Sequence, residues 1–411
     1  MKVYISGISG TGMGPLALVA KNAGMDVCGS DLSKGAIYDE LVKAGIDVYI
    51  GEQDGKFLNE HLDGLDWFVH TSALSEDNPE LVRAREAGVK CTKRDDFTAY
   101  LVDKLGLKMV AVAGTHGKTT TTSMIVWACL RLGLPVAYVV GTTLGFASSG
   151  AYREGDKYFV YEADEYDRNF LKYHPWLAAI TTVSYDHPDI YKDVEEYVAA
   201  FRQFEGQSEI VVRGEDAFGV EKFELAGEAR RRDAALACEV IMRMAPGMDR
   251  TEVVRVLNDF PGVGRRFEKI AERVYTDYAH HPEEIAATLR VARDQVVRDR
   301  LRGVVVVYQP HQNVRQYEVR DGYQYAFVGA DKIFWLPTYL TREDPTLAVL
   351  TPEELAENVS VGAIISFAEV GEELAEKLKE FRAKGYMILL MTAGPADAWY
   401  RNIDWGEVED F

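Results

Sequence analysis

The sequence predicts an α/β protein of three domains, and three observations carry that prediction. A glycine-rich turn, GISGTGMG, follows a short strand at the start of the chain, and a second, GTHGKTTTT, follows another strand further on. A later series of apolar runs, Val274–Thr276, Val304–Tyr308, Lys332–Leu336 and Met387–Met391, alternates with helical stretches. Strands that alternate with helices read as α/β units. The 411 residues leave room for two to four domains at roughly 100–200 residues each.

Composition narrows the class. Apolar residues make up 47% of the chain and the formal net charge is −19. A surplus of carboxylates argues against a general nucleic-acid or anionic-membrane binder, which needs basic surface. Any phosphate ligand must be held by local cations and backbone amides. Cys28, Cys91, Cys129 and Cys238 are scattered, the pattern of reduced thiols in a cytosolic protein. No leader is expected ahead of the opening strand, and no run reaches the ~18 apolar residues of a membrane span.

Taken in order, Lys2–Ser6 alternates as a strand, Gly7, Gly10, Gly12 and Gly14 form a turn, and Leu16–Ala23 is helical. Val27–Gly29 is the next strand, ending near Asp31, an acid about 20 residues beyond the glycines. So many glycines clear space for close backbone approach, which suits a pyrophosphate-bearing ligand. Asp66–His70 is a strand with Thr71, Ser72 and Ala73 at its carboxyl end, where ligands bind in open parallel sheets. Asn78-Pro79 opens a helix. Leu105–Lys108 reads as a domain boundary.

Met109–Ala113 is a β-branched, apolar strand that breaks at Gly114. Thr120–Leu130 is helical, with Met124, Ile125 and Trp127 on its apolar side. Strand, glycine turn and helix hold a phosphate: the first helical N–H groups point at the anion and the helix dipole adds to them. Lys118 supplies a mobile positive charge for β/γ-phosphates, and the Thr119 hydroxyl can ligate Mg²⁺. Tyr158–Tyr161 is a strand that ends in Glu162-Ala163-Asp164-Glu165, and Glu162, closest to the strand, is the candidate Mg²⁺ ligand. Ala179–Val183 is read as the next strand, closed by Asp186-His187-Pro188-Asp189. Asp249 caps a helix to Asp259, FPGVG at 260–264 is a hinge, and Pro282 opens a helix behind Asp277 and the paired His280 and His281. No Cys or His at ligand spacing supports zinc there.

GTHGKTTT, EADEYD and the Asp-His-x-Asp segment, in this order and spacing, resemble the Mur ligases, ATP-dependent enzymes that join amino acids to UDP-N-acetylmuramate in cell-wall synthesis. GISGTGMG with SDL, TSALSEDNPE, GVGRRFE, DYAHHPEE and YQPH extend the resemblance over nearly the whole chain. It implies a Rossmann-like UDP-substrate domain (1–106), a P-loop ATPase domain (107–262) and a smaller α/β domain (263–411) that closes on nucleotide and acceptor. The implied activity is amide formation through an acyl phosphate, with L-alanine added to UDP-N-acetylmuramate. A tripeptide acceptor, as in the recycling branch, and a reduced non-catalytic nucleotide binder are the alternatives. The implied cofactors are ATP and two Mg²⁺. The implied partners are a UDP-N-acetylmuramate-type substrate and an amino acid or short peptide, in a cytoplasmic monomer or homodimer.

Carried over by position, the resemblance gives catalysis to Lys118, Glu162, His187 and Arg266. Nucleotide binding falls to Gly114, Thr115, His116, Gly117, Lys118, Thr119, Thr120, Arg266 and Asp277. Thr119 and Glu162 share one Mg²⁺ and His187 takes a second. The UDP-sugar falls to Gly7, Ser9, Gly10, Thr11, Gly12, Met13, Asp31, Thr71, Ser72 and Ala73, and the acceptor to His281, His311 and Arg315. Four departures stand out. Only ~60 residues separate Phe204 from Gly262, where the family usually carries a further β-rich segment. The adenine-facing His-Asn-x-x-Asn falls on Ala229, Arg230 and Asp233. Phe201 stands where some branches carry a carbamylated lysine. Finally, the family's Gln-Pro-His-Arg-x-x-Arg reads Gln309-Pro310-His311-Gln312-Asn313-Val314-Arg315, so one arginine is gone.

Overall fold

A computed structural model describes all residues except Ala73, Pro188, Asp189, Ala226, Arg342 and 408–411. By contacts the chain divides into two compact units. The first is Met1–Leu225 with Arg230–Val263, and the second is Ala226–Ala229 with Gly264–Phe411.

The first unit holds two sheets. In one, β1 (Lys2–Ser6), β2 (Asp26–Asp31), β3 (Asp47–Ile50), β4 (Trp67–His70) and β5 (Lys90–Lys93) run parallel in the order β3-β2-β1-β4-β5. The order reverses between β1 and β4, the place where such sheets bind ligands. The other sheet contains β6 (Lys108–Ala113), β7 (Val136–Val139), β8 (Gly150–Ala151), β9 (Tyr158–Glu162), β10 (Leu177–Ile180) and β11 (Ile210–Arg213). Its order is β11-β10-β6-β9-β7-β8, parallel except for the β7–β8 pair. The central strands are buried on both faces, so they read as continuous apolar runs such as Met109–Ala113.

One core spans both sheets. Ile5, Leu16 and Val19 cluster with Ala111, Phe159 and Phe201, and the helix Gly14–Asn22 packs on β7 and β8. Its approach is close: a Cβ on Gly150 would lie 2.0 Å from the Pro15 carbonyl oxygen. Phe201, 2% exposed, packs its ring 5.1 Å from both Phe170 and Tyr197. The segment between β11 and the helix Glu228–Met244 carries two short 3-10 turns, Gly214–Asp216 and Val220–Lys222.

The second unit has one sheet: β12 (Glu268–Ala271), β13 (Val274–Asp277), β14 (Val304–Gln309), β15 (Lys332–Trp335), β16 (Ile364–Phe367) and β17 (Met387–Thr392). Its order is β12-β13-β17-β14-β15-β16, with only β12–β13 antiparallel. Its helices include Pro282–Arg298, which opens at Pro282 as the sequence implies, and Glu372–Ala383.

The strand expected at Ala179–Val183 is corrected. It runs Leu177–Ile180; Thr181 N–H still donates to Ala113 O at 2.9 Å, but the Thr181 hydroxyl and both oxygens of Thr182 bond the phosphate turn. Propensity favoured a longer strand, but the turn took those hydrogen bonds.

The contact at Gly150 yields a prediction. Gly150→Ala forces the Gly14–Asn22 helix off the second sheet and should destabilise the chain by about 1–3 kcal/mol. Urea unfolding measures it, and an unchanged midpoint would contradict the packing.

Candidate active site

The phosphate turn is built where β6 ends. Gly114 has φ 137, and a Cβ there would lie 2.1 Å from Thr181 Oγ1. Gly117 caps the helix Lys118–Leu132 with φ 83, and a Cβ there would lie 2.6 Å from an Asp233 carboxylate oxygen. Only glycine fits either position without displacing its neighbours. Two backbone N–H groups fix the turn to the segment after β10. Thr115 N–H donates to Thr182 O at 2.8 Å, and His116 N–H donates to Thr182 Oγ1 at 3.2 Å. The Thr115 hydroxyl, 2.7 Å from Ser184 O and 2.8 Å from Tyr197 OH, serves the same bracing. The Thr120 side chain is buried.

Lys118 is the first residue of that helix. Its Nζ donates to Gly114 O at 2.6 Å and to both oxygens of Glu165, at 3.0 and 2.8 Å. Glu165 is fully buried. Burial raises its carboxyl to about 7, against the opposing pull of Lys118. Burial pulls the Lys118 amine down, but Glu165, Asp164 and Glu162 outweigh it and hold the amine at about 12. His187 Nε2 is 3.7 Å from Glu165 Oε1 and 3.7 Å from Asp186 Oδ2. His187 is left-handed at φ 58, a conformation that costs roughly 1–3 kcal/mol for a non-glycine residue, and its ring meets Tyr166 edge-on at 5.2 Å. Pro188 and Asp189 lie outside the described residues.

Next to this row, Thr119 Oγ1 donates to Glu162 Oε1 at 2.9 Å. Glu162 Oε2 is buried with no hydrogen-bond partner among the described residues. An orphaned carboxylate oxygen beside a hydroxyl fits a hard divalent cation. Among the described residues no group of three or more His, Cys, Asp or Glu side chains could hold a metal unaided. That suits Mg²⁺, which keeps waters and phosphate oxygens and needs only one or two carboxylates.

At the first glycine turn, Ser9 N–H and Oγ both donate to Asp31 Oδ2, at 3.0 and 2.7 Å, and Gly35 N–H donates to Ser9 Oγ at 2.9 Å. Ser9 and Asp31 thus fix the turn on β2, and Met13 is 2% exposed in the core. Gly10, Thr11, Gly12, Thr71 and Ser72 are at least partly exposed. A Cβ on Gly7 would meet the Thr71 methyl at 3.1 Å, which joins the β1 and β4 ends. Ala73 lies outside the described residues.

In the second unit Asp277 is an internal brace. Its carboxylate accepts from Phe267 N at 2.6 Å, Ala279 N at 2.8 Å and Thr288 Oγ1 at 3.2 Å. It holds a strained bend in which Arg265 and Phe267 are left-handed, at φ 57 and 49. Arg266 lies over the Tyr278 ring, 5.0 Å from its centre. Arg315 Nη1 bonds His280 Nε2, while His280 Nδ1 sits 3.0 Å from Tyr278 O. Burial lowers the pKa of His280, Glu284 opposes and Arg315 adds to the lowering, so a neutral ring accepts from the guanidinium. The His311 ring is 5.7 Å from His280. His281 precedes the helix Pro282–Arg298 and lines a cavity of about 420 Å³ with Glu283, Glu318 and Tyr325.

Sequence reasoning missed Glu165 and His280. Glu165 stood inside the EADEYD acid run, three residues past the chosen Glu162, and its pairing with Lys118 leaves no local signal. His280 sat beside the chosen His281.

Comparison with known proteins places the chain. Three family profiles match: "Mur ligase family, catalytic domain" over residues 2–104, "Mur ligase middle domain" over 112–224, and "Mur ligase, glutamate ligase domain" over 265–394. A UDP-N-acetylmuramate–L-alanine ligase of Thermosynechococcus vestitus is 30% identical, covering 95% of this chain and 92% of its own length. The chain belongs to the Mur ligase family. A Thermobifida fusca protein of the same name is 34% identical over 96% of this Mur ligase and 94% of itself. The crystal structure of a Thermotoga maritima UDP-N-acetylmuramate–alanine ligase matches with a TM-score of 0.79 at 25% identity, over 98% of both chains. A murein peptide ligase of Psychrobacter arcticus shares the fold, with a TM-score of 0.65 at 20% identity and full coverage of both. Among the described residues, no helix of this Mur ligase is long and apolar enough to cross a membrane.

The raised Glu165 pKa has a stability consequence. Between about pH 4.5 and 7 the folded state keeps a proton that the unfolded chain has lost, so stability falls as pH rises. Glu165→Gln should remove that component, of order 3 kcal/mol across the window. Urea midpoints of nucleotide-free wild type and variant, at pH 5 and pH 8, measure it. Parallel pH profiles would contradict the assignment.

Proposed function

We propose that the protein is an ATP-dependent carboxylate–amine ligase that joins L-alanine to UDP-N-acetylmuramate in peptidoglycan synthesis. The observation that carries this reading is the seating of Lys118 at the mouth of the phosphate turn, beside the Thr119–Glu162 pair with its orphaned oxygen. The names and coverage of the relatives support the substrates.

The chemistry follows from a poor electrophile. A carboxylate cannot expel oxide, so its oxygen attacks the γ-phosphorus of ATP and ADP leaves, giving an acyl phosphate. The free amine of the acceptor attacks the acyl carbon, the amine proton is lost, and inorganic phosphate departs. Lys118 and the N-terminal amides of its helix offset the charge that keeps carboxylate and phosphate apart. Mg²⁺, held by Thr119 and Glu162, would neutralise phosphate charge, and His187 is assigned to a second ion. Arg266 is assigned to the terminal phosphates, and His281, His311 and Arg315 to the acceptor. The division at 1–106, 107–262 and 263–411 separates substrate, nucleotide and acceptor roles.

ADP release with UDP-N-acetylmuramate and L-alanine tests the reading. Lys118→Ala should cut it about 10²–10³-fold, the cost of losing a preorganised charge. Near-wild-type turnover in that variant would show that the turn does not serve phosphoryl transfer.

The acceptor side carries its own prediction. Gln312 replaces an arginine and is left-handed at φ 60. A neutral hydrogen bond is worth ~1 kcal/mol against ~1.5–3 for a charged one, so a free carboxylate is held less tightly. The KM for L-alanine should be high and should fall in Gln312→Arg, with the tripeptide less affected. A low-micromolar KM that the arginine does not improve would contradict this.

A further inference from the structure

The two loops assigned to the acceptor hang on strands that are not neighbours. Residues 278–281 follow β13 and residues 310–312 follow β14, and β17 lies between those strands in the sheet. No ladder hydrogen bond therefore links the two strands directly. A buried chain of side chains does. Tyr308, on β14, Tyr323 and Gln316 are each 0% exposed. Tyr308 OH donates to His280 O at 3.1 Å and lies 2.7 Å from Tyr323 OH. Tyr323 OH donates to Gln316 Oε1 at 2.6 Å, and Gln316 Nε2 donates to His311 O at 2.9 Å. The chain runs from the backbone of one loop to the backbone of the other.

Its members depend on one another. Two hydroxyl protons are shared among three contacts, so losing either hydroxyl leaves a buried acceptor short of a donor. Burial pushes both phenols above their usual range, so each keeps its proton. Gln316 belongs to the helix Asn313–Val319, and its neighbour Arg315 bonds the His280 ring. That helix is thus fastened to both loops, by one side chain each. Tyr308, Tyr323 and Gln316 have no exposed surface with which to touch a substrate. Whatever they contribute to the reaction passes through the loops they hold.

We propose that Tyr308, Tyr323 and Gln316 are positioning residues for the acceptor, a buried tie that fixes the spacing of the His280–His281 and His311 loops; this rests on the reading of His281, His311 and Arg315 as the acceptor site. A displacement of about 1 Å at a reacting centre is enough to cost a large factor in rate, so the tie acts on the amine without meeting it.

Steady-state kinetics of the full chain in each substrate, with melting curves to check folding, test this. Tyr323→Phe should raise the KM for L-alanine about tenfold or more and leave those for ATP and UDP-N-acetylmuramate within about twofold. Gln316→Met, close in volume, should do the same, and it serves alone if Tyr323→Phe does not fold. Because both cut one chain, the double variant should lose no more than the worse single variant. Hydroxylamine, a small amine that needs no ordered acceptor site, should trap the acyl phosphate as hydroxamate equally well in wild type and variants. A KM for L-alanine unchanged in the single variants, losses that multiply in the double variant, or hydroxamate that falls together with ligation would each overturn the proposal, the last by showing that the chain only supports the fold. Wild type that ligates L-alanine keeps the acceptor reading whatever the variants do. Wild type that yields hydroxamate but ligates no L-alanine ends the acceptor reading, and the proposal with it.

Discussion

The buried Lys118–Glu165 pair is the constraint around which the first unit is arranged. Two charges taken from water persist only with close mutual contact and further hydrogen bonds. Lys118 gains them from Gly114 O and both Glu165 oxygens. Glu165 gains a fixed backbone, because Tyr191 OH donates to its carbonyl at 2.6 Å. Those contacts pin the end of β9 to the turn after β6, while Thr181 and Thr182 pin the same turn from β10. Three strand ends thus converge on one lysine. The local surplus of carboxylates, Glu162, Asp164 and Glu165, matches a site that must receive cations along with a polyphosphate.

The two glycine turns solve one problem in different ways. Both open a helix behind a strand, the arrangement whose backbone N–H groups suit an anion. The middle turn adds a lysine from its own helix. The first turn has no cation within itself, since Ser9 and Asp31 are spent on holding it to β2. In a chain this acidic, such local arrangements decide whether a phosphate is bound or repelled.

Much of this was legible in the sequence, for physical reasons. Gly114, Gly117 and Lys118 announce themselves because the chemistry of a phosphate turn is local. The central strands read clearly because burial on both faces demands unbroken apolar runs. The short strands Asp47–Ile50, Glu268–Ala271 and Ile364–Phe367 did not, because each flanks its sheet and carries polar or exposed residues. Glu165 and His280 were missed for a common reason. Each acts through a partner distant in sequence, Lys118 and Arg315 respectively, and spacing rules see only neighbours. Ser9, Asp31 and Asp277 carried site-like signatures, yet their side chains hydrogen-bond within the protein and shape the backbone around the site.

The central claim is that the carboxylate of the sugar substrate is activated by γ-phosphoryl transfer from ATP. The most direct test uses substrate labelled with ¹⁸O in that carboxylate, with turnover followed by mass spectrometry of the released inorganic phosphate. An acyl phosphate predicts one labelled oxygen in each phosphate formed with amide product. Unlabelled phosphate alongside amide product would contradict the account.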